Sequence, residues 1–181
     1  MKILFLDRDG VINIDKKYVY QWKNFQFVKG SIKALQYFTL KSIKIIIVTN
    51  QAGIAKGYYT EDDFFKLKAK FLKFCLSNNI DILDIFYCPH HKNGIVKRFA
   101  KDCQCRKPNP GMFYKAKLLH NVSLKDSVMV GDQLTDIEAS VRAGIKNNFL
   151  ISNEKVKSTK NFVVCDNLLN ISEKIYQILK G

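Results

Sequence analysis

Short runs of unbroken apolar character recur along the chain: "KILFL" (2 to 6), "IKIIIVT" (43 to 49), "SVMVG" (127 to 131), "NNFLI" (147 to 151) and a fifth, "NFVVC" (161 to 165). A strand with one wet face alternates apolar and polar residues, whereas a strand covered on both faces stays apolar throughout. These runs are of the second kind and predict buried strands. The segments between them, 31 to 41, 60 to 78, 110 to 120, 134 to 143 and 168 to 179, are longer and amphipathic and read as helices. Thr60, with Asp63 three residues on, can cap the second of these, Asn109 followed by Pro110 forms a natural cap and first turn for the third, and Gly144 closes the fourth.

Strands alternating with helices predict a doubly wound α/β fold, Rossmann-like, with a parallel sheet and helices on both faces. Ligands of such sheets bind beyond the carboxyl ends of the strands, near the reversal of strand order. Asp7 and Asp9 directly follow the first strand, Thr49 and Asn50 close the second, and Asp132 follows Gly131 at the end of another. Three polar clusters far apart in sequence should therefore meet in one crevice.

With 181 residues the chain is expected to form a single domain, 1–181, with a full core and no room for a large cap domain. The apolar run at the start is four residues long, too short for a signal-peptide core, and no run approaches a membrane span, so a cytoplasmic location without a membrane partner is expected. The formal charge of +14 raises nucleic-acid binding, but the positive charge is mostly scattered Lys, with Arg only at positions 8, 98, 106 and 142. A solvated Lys-rich surface and a small anionic substrate fit that distribution better. A zinc-containing nucleic-acid-binding module stays as the reading from another class, and it predicts steeply salt-dependent binding. No heptad pattern or long apolar stripe is present, and a monomer is expected.

Carboxylates of Asp7, Asp9 and Asp132 in one crevice would repel one another unless a cation sat among them. All-oxygen ligation beside a phosphate suits Mg²⁺. A carboxylate beside Mg²⁺ can attack a phosphoryl group and form an aspartyl-phosphate, while a hydroxyl such as Thr49 and a cation such as Lys107 neutralise the equatorial oxygens. A second constellation lies in "CPHHKNGIVKRFAKDCQCRKP" (88 to 108). Five cysteines is an odd count; Cys75 and Cys165 stand alone in apolar segments as inert core thiols, whereas Cys88, Cys103 and Cys105 cluster with His90 and His91. Three sulfurs and one imidazole make a closed, structural zinc site with no open position for catalysis. Zinc would pin the 88–105 loop without a core of its own and fix the bases of Arg106 and Lys107.

The ordered set "FLDRDG", "VTNQAGIAKG", "CRKPNPGM" and "VGDQLTDIEA" resembles the haloacid dehalogenase-type phosphatase superfamily over most of the chain and, within it, the zinc-containing heptose-bisphosphate 7-phosphatases. The resemblance implies Mg²⁺-dependent removal of the C7 phosphate of D-glycero-D-manno-heptose 1,7-bisphosphate, on the route to nucleotide-activated heptose for surface polysaccharide. It implies Asp7 as nucleophile and Mg²⁺ ligand. Asp9 becomes the general acid and base that also binds Mg²⁺ through its carbonyl, Thr49 and Lys107 hold the phosphoryl group, Asp132 ligates Mg²⁺, and Asp136 supports the metal shell. It selects His90 over His91 as the zinc imidazole and Arg106 as a substrate contact; Asp15, Tyr18, Asn50, Gln51 and Gln133 are further expected contacts, with Lys16 and Lys17 in the same loop. Histidinol-phosphate phosphatases carry similar motifs with a shorter segment between the CxH and CxC pairs; twelve residues separate them here, which favours the heptose enzymes. The chain departs from the pattern at Val11, usually Thr, at Ala52, often Ser, and at Gln133, often Lys.

Overall fold

The computed structural model describes residues 1–152, 154 and 156–181. Among these residues six parallel strands, β1 (Leu4–Leu6), β2 (Ile45–Asn50), β3 (Asp84–Cys88), β4 (Val128–Gly131), β5 (Asn147–Ile151) and β6 (Val163–Cys165), form one sheet in the order β3-β2-β1-β4-β5-β6. The helices are α1 (Ser31–Leu40), a short α2 (Ala52–Ala55), α3 (Glu61–Ser77), α4 (Gly111–His120), α5 (Leu134–Ala143) and α6 (Ser172–Lys180).

The unbroken apolar strands have the predicted cause. Leu4, Leu6, Ile45, Ile47, Val128 and Val130 point to one face, where they pack with Leu35 and Phe38 of α1, Phe71 and Cys75 of α3, and Ile175 and Leu179 of α6. Their neighbours Phe5, Ile46, Val48 and Met129 point to the other, against Met112, Phe113 and Ala116 of α4 and Ala139 and Ala143 of α5. Successive strand side chains face opposite ways, so a strand that feeds two cores favours apolar residues at consecutive positions. Val11, which replaces the usual Thr, is fully buried in the first core.

The sequence-based picture needs several adjustments, beginning with the short α2, which lies in none of the expected helices. Strand β3 was not foreseen: it is an edge strand whose burial is mixed, with Asp84 and Tyr87 partly exposed, so "DIFYC" lacks the continuous apolar signature. Helix α6 begins at Ser172, four residues after the expected start, and β1, β2 and β6 each begin two residues later than their apolar runs. The α4 helix is capped at Pro110; Asn109 instead donates from Nδ2 to the Cys103 carbonyl at 2.8 Å. Other end signals hold, since Thr60 and Asp63 form a reciprocal capping box on α3, and Gly144 ends α5 with φ 92°. Among the described residues no helix is long and apolar enough to cross a membrane.

Strand numbering reverses direction between β1 and β4, so the crevice at the switch point opens between the ends of those two strands.

Candidate active site

Leu6 pairs with Ile47 on one side and Val130 on the other, so the residue after β1 emerges between the ends of β2 and β4. That residue is Asp7, whose amide donates to the Val130 carbonyl at 2.9 Å. The turn that follows needs Gly10: its φ is +83°, and a Cβ there would lie 2.2 Å from Asp132 Oδ2. A side chain at position 10 would thus push Asp132 out of the crevice.

Asp7, Asp132 and Asp136 present carboxylate oxygens within 4.8 Å of one another. Asp136 comes from the first turn of α5, where its Oδ2 accepts the Gln133 amide at 3.0 Å. Lys107 enters from the opposite side. Its Nζ lies 2.6 Å from Asp7 Oδ1 and 2.6 Å from Asp136 Oδ1, and donates to the Val48 carbonyl at 2.8 Å, so all three of its hydrogens are engaged. Burial pushes the Asp7 carboxyl well above the usual carboxylate range; Lys107 opposes the shift, while Asp136, Asp9 and Asp132 add to it. Burial likewise raises Asp132 to about 6, against the hydrogen bond from Gln133. For Lys107 burial disfavours the charge, but Asp136 and Asp7 more than compensate and hold it above an ordinary lysine. One ammonium among three crowded carboxylates leaves excess negative charge. These hard oxygen donors fit a divalent cation such as Mg²⁺, which would relieve that excess.

The Asp9 carboxylate does not belong to this group, contrary to the expectation of three carboxylates from positions 7, 9 and 132; Asp136 takes its place. Arg8 grips Asp9 through Nε at 3.2 Å and Nη2 at 2.8 and 2.9 Å, with Asn13 Nδ2 at 2.9 Å and Gln51 Nε2 at 3.2 Å completing the hold. Arg8 is itself fixed to the Val19 carbonyl at 2.9 Å. The neighbouring charge on its own chain turns Asp9 away from the other acids and toward the substrate side.

Thr49 is buried, and its hydroxyl oxygen accepts Gln51 Nε2 at 2.8 Å. Asn50 grips the backbone of Lys107 from both sides: Oδ1 accepts the amide and Nδ2 donates to the carbonyl, each at 3.1 Å. Its amide therefore sets the lysine in place. Gln133 is exposed and donates to Asp132 Oδ2 at 2.9 Å.

Beside these groups opens a cleft of about 380 Å³, lined by Asp9, Asp15, Tyr18, Asn50, Gln51 and Arg106 of the expected contacts. Lys17, expected from the same loop, lines it as well, with Arg8, Ala52 and His91, and Lys56 and Tyr59 join them without having been expected as contacts. Lys56 donates to the Tyr18 hydroxyl at 2.8 Å, and Tyr18 packs edge-on against Tyr58 at 4.6 Å. Asp15 Oδ1 accepts the Lys17 amide at 2.8 Å, a local turn in the loop that lines the cleft. Lys56 lies within the quoted "IAKG" motif, so the signal was there; what the motif lacks is the direction of its side chain.

The 88–105 loop gathers the other cluster. The sulfurs of Cys88, Cys103 and Cys105 lie 3.0 to 3.5 Å apart, and His90 Nδ1 is 3.7 Å from Cys88 and 3.3 Å from Cys105. A tetrahedral zinc with bonds of about 2.3 Å has ligand edges of about 3.8 Å, so four soft donors converge at close to the required spacing and fit that ion. His91 is outside the cluster; its Nδ1 accepts the Asn93 amide. The hydrogen bond shared with Cys88 pulls the Cys105 thiol down to about 5, with His90 and Cys103 contributing. By contrast, burial alone pushes Cys75 up to about 12, and burial raises Cys165 to about 11, consistent with inert core thiols. The cluster reaches the cleft through Arg106: its amide donates to Cys103 Sγ at 3.3 Å and its guanidinium to the His90 carbonyl at 3.3 Å. The far side of the loop is tied to α3 by an ion pair between Arg98 and Glu61, which also accepts the Tyr87 hydroxyl at 2.7 Å.

Comparison with known proteins places this geometry. A HAD-hydrolase-like family model matches residues 104–168. The chain is 42% identical to the D-glycero-α-D-manno-heptose-1,7-bisphosphate 7-phosphatase of Photorhabdus laumondii, over 97% of both proteins. It is 43% identical to the β-anomer 7-phosphatase of Pasteurella multocida, over 85% of this chain and 83% of that one. The crystal structure of a D,D-heptose 1,7-bisphosphate phosphatase from B. bronchiseptica, complexed with magnesium and phosphate, superposes with a TM-score of 0.86 at 28% identity, covering 98% of this chain and 99% of that one. With likeness to these enzymes along nearly its whole length, this chain belongs to the HAD-like hydrolases and, among them, to the heptose-1,7-bisphosphate 7-phosphatase family.

Proposed function

We propose that the protein is a Mg²⁺-dependent phosphatase that removes the C7 phosphate of D-glycero-D-manno-heptose 1,7-bisphosphate. The observation that carries this reading is the buried Asp7–Lys107–Asp136 group, with Asp132 beside it, at the switch point of the sheet and next to a cleft rimmed by Lys17, Lys56 and Arg106. A carboxylate nucleophile needs its position fixed and the phosphoryl charge neutralised, and this arrangement supplies both. The cationic rim suits a substrate whose second phosphate stays on through the reaction.

Asp7 attacks phosphorus while the bond to the C7 oxygen breaks, and Asp9 gives its proton to that leaving oxygen. Asp9 then takes a proton from water, whose oxygen attacks the aspartyl-phosphate; inorganic phosphate leaves and Asp7 is regenerated. Lys107, presented by the Asn50 clamp, and the Thr49 hydroxyl bind equatorial phosphoryl oxygens. Asp7, Asp132 and the Asp9 carbonyl, with Asp136 alongside, would hold Mg²⁺, which would supply charge neutralisation for the transferring group. Cys88, His90, Cys103 and Cys105 would hold a structural zinc, which would stiffen the loop from which Arg106 reaches the cleft. Asp15, Tyr18, Gln51 and Gln133 border or order the binding groups. Residues 1–181 act as one catalytic domain, a cytoplasmic monomer with no nucleic-acid partner, and the product, a sugar 1-phosphate, is the class of compound consumed by nucleotide activation.

The test is phosphate release from both anomers of the heptose bisphosphate, with histidinol phosphate alongside, with and without Mg²⁺. Release of one phosphate from a heptose anomer, dependent on Mg²⁺, is expected. Faster turnover of histidinol phosphate would overturn the substrate, and no Mg²⁺ dependence would overturn the mechanism.

A further inference from the structure

The catalytic side of the cleft contains a tyrosine that the reaction as described does not use. Tyr59 follows α2 and is only 6% exposed; its hydroxyl donates to Gln51 Oε1 at 2.6 Å. Gln51, 3% exposed, spends its amide hydrogens on Thr49 Oγ1 at 2.8 Å and Asp9 Oδ2 at 3.2 Å. Two residues central to the chemistry thus share one amide, and Tyr59 holds the far end of it.

The molecule is shaped to admit this ring. Tyr20 stacks on Tyr59 with centroids 4.9 Å apart and planes inclined by 9°. On another side Gly53 leaves the space: a Cβ there would lie 2.1 Å from Tyr59 Cε1. Burial raises the phenol well above an ordinary tyrosine, so the hydroxyl keeps its hydrogen and acts as donor.

We infer that Tyr59 is a positioning residue for phosphoryl transfer, fixing the Gln51 amide so that Thr49 and Asp9 keep the hydrogen-bonding roles the reaction needs. An amide can be flipped, and the two orientations are not equivalent here. With Oε1 taken by Tyr59, Nε2 must face Thr49 and Asp9. Thr49 Oγ1 then serves as acceptor toward Gln51 and its single hydrogen is left for a phosphoryl oxygen. In the flipped orientation Oε1 would accept that hydrogen and would also face the Asp9 carboxylate, which repels it. Tyr59 thereby blocks a state in which the hydroxyl donor is consumed and Asp9 loses a partner. The inference rests on the phosphatase reading of the site, and it acts on the transferring phosphoryl group whatever the leaving alcohol.

Tyr59→Phe keeps the ring between Tyr20 and Gly53 and removes only the donor. Steady-state kinetics on heptose bisphosphate and on an aryl phosphate, in the Mg²⁺- and Zn²⁺-loaded enzyme, should show kcat reduced about 5- to 50-fold on both substrates, with KM changed less than about twofold. In a Gln51→Met background, where there is no amide to orient, the further loss on Tyr59→Phe should shrink to less than about twofold. Full kcat in the single variant, or an equal loss in the Gln51→Met background, overturns the inference. If the unaltered enzyme hydrolyses the aryl phosphate but not the heptose bisphosphate, the substrate reading fails while the aryl phosphate measurements still decide the role of Tyr59.

Discussion

Replacing Lys107 by Met tests the electrostatic centre of the site. Lys107 bridges two buried carboxylates, with side-chain exposures of 2% for the lysine, 9% for Asp7 and 3% for Asp136. The variant strands both acids and also frees the Val48 carbonyl. Removing one partner of a buried ion pair costs about 3–5 kcal/mol, mostly because the remaining charge is uncompensated. At about 2–4 °C per kcal/mol for a chain of this size, the melting temperature should fall by about 6–20 °C. The measurement is thermal unfolding by circular dichroism in Mg²⁺-free buffer, with zinc retained. Adding Asp136→Asn to Lys107→Met removes one stranded charge and should recover at least half of the loss, while kcat stays depressed by about 100-fold or more in both variants. The pH dependence has a defined sign. Burial raises the Asp7 carboxyl in the folded state, so the folded state holds that proton more tightly; this contribution is present at low pH and is lost as pH rises. Lys107 opposes that rise, so without it the Asp7 carboxyl climbs further, and the Lys107→Met variant should lose stability relative to the parent as pH increases. A loss below about 1 kcal/mol, or an Asp136→Asn change that is as harmful in the variant as in the parent, would refute the reasoning.

Two further outcomes follow from the metal sites. Burial raises Asp132 to about 6, and its protonated form is a poor ligand, so the apparent Mg²⁺ affinity should weaken as pH falls from 7 to 5; calorimetric titration showing a flat profile over that range would remove Asp132 from the ligand set. Cys103→Ser should bring zinc content below one per chain and raise KM for the heptose bisphosphate more than it lowers kcat, because Arg106 is hydrogen-bonded to that sulfur and to the His90 carbonyl. Full zinc stoichiometry by elemental analysis, with KM unaltered, would contradict both the ligand assignment and the link to Arg106.

The sequence by itself determined the sheet's interior and the chemistry available to it. Strands β1, β2 and β4 are buried on both faces, and that burial writes itself into consecutive apolar residues, as in the last three positions of β5. The donors Cys88, His90, Cys103 and Cys105 were legible because their spacing is local and few other roles suit four soft ligands so close together. Asp7 and Asp132 were legible because a polar residue directly after a buried strand has only the strand-end crevice to occupy. What only the tertiary structure decided is where side chains turn after the strands end. Edge strand β3 borrows its pairing from β2 and carries polar residues, so periodicity passes over it. Asp9 is two residues from Asp7, yet Arg8, Asn13 and Gln51 rotate its carboxylate out of the acidic group that Asp136 enters from α5. Lys107 meets Asp7 across 100 residues of chain, and the Tyr59 hydroxyl reaches Thr49 and Asp9 only through the Gln51 amide. Apolar burial is a property of each segment and leaves a periodic trace, whereas a hydrogen-bond direction is fixed by partners from distant segments and leaves none.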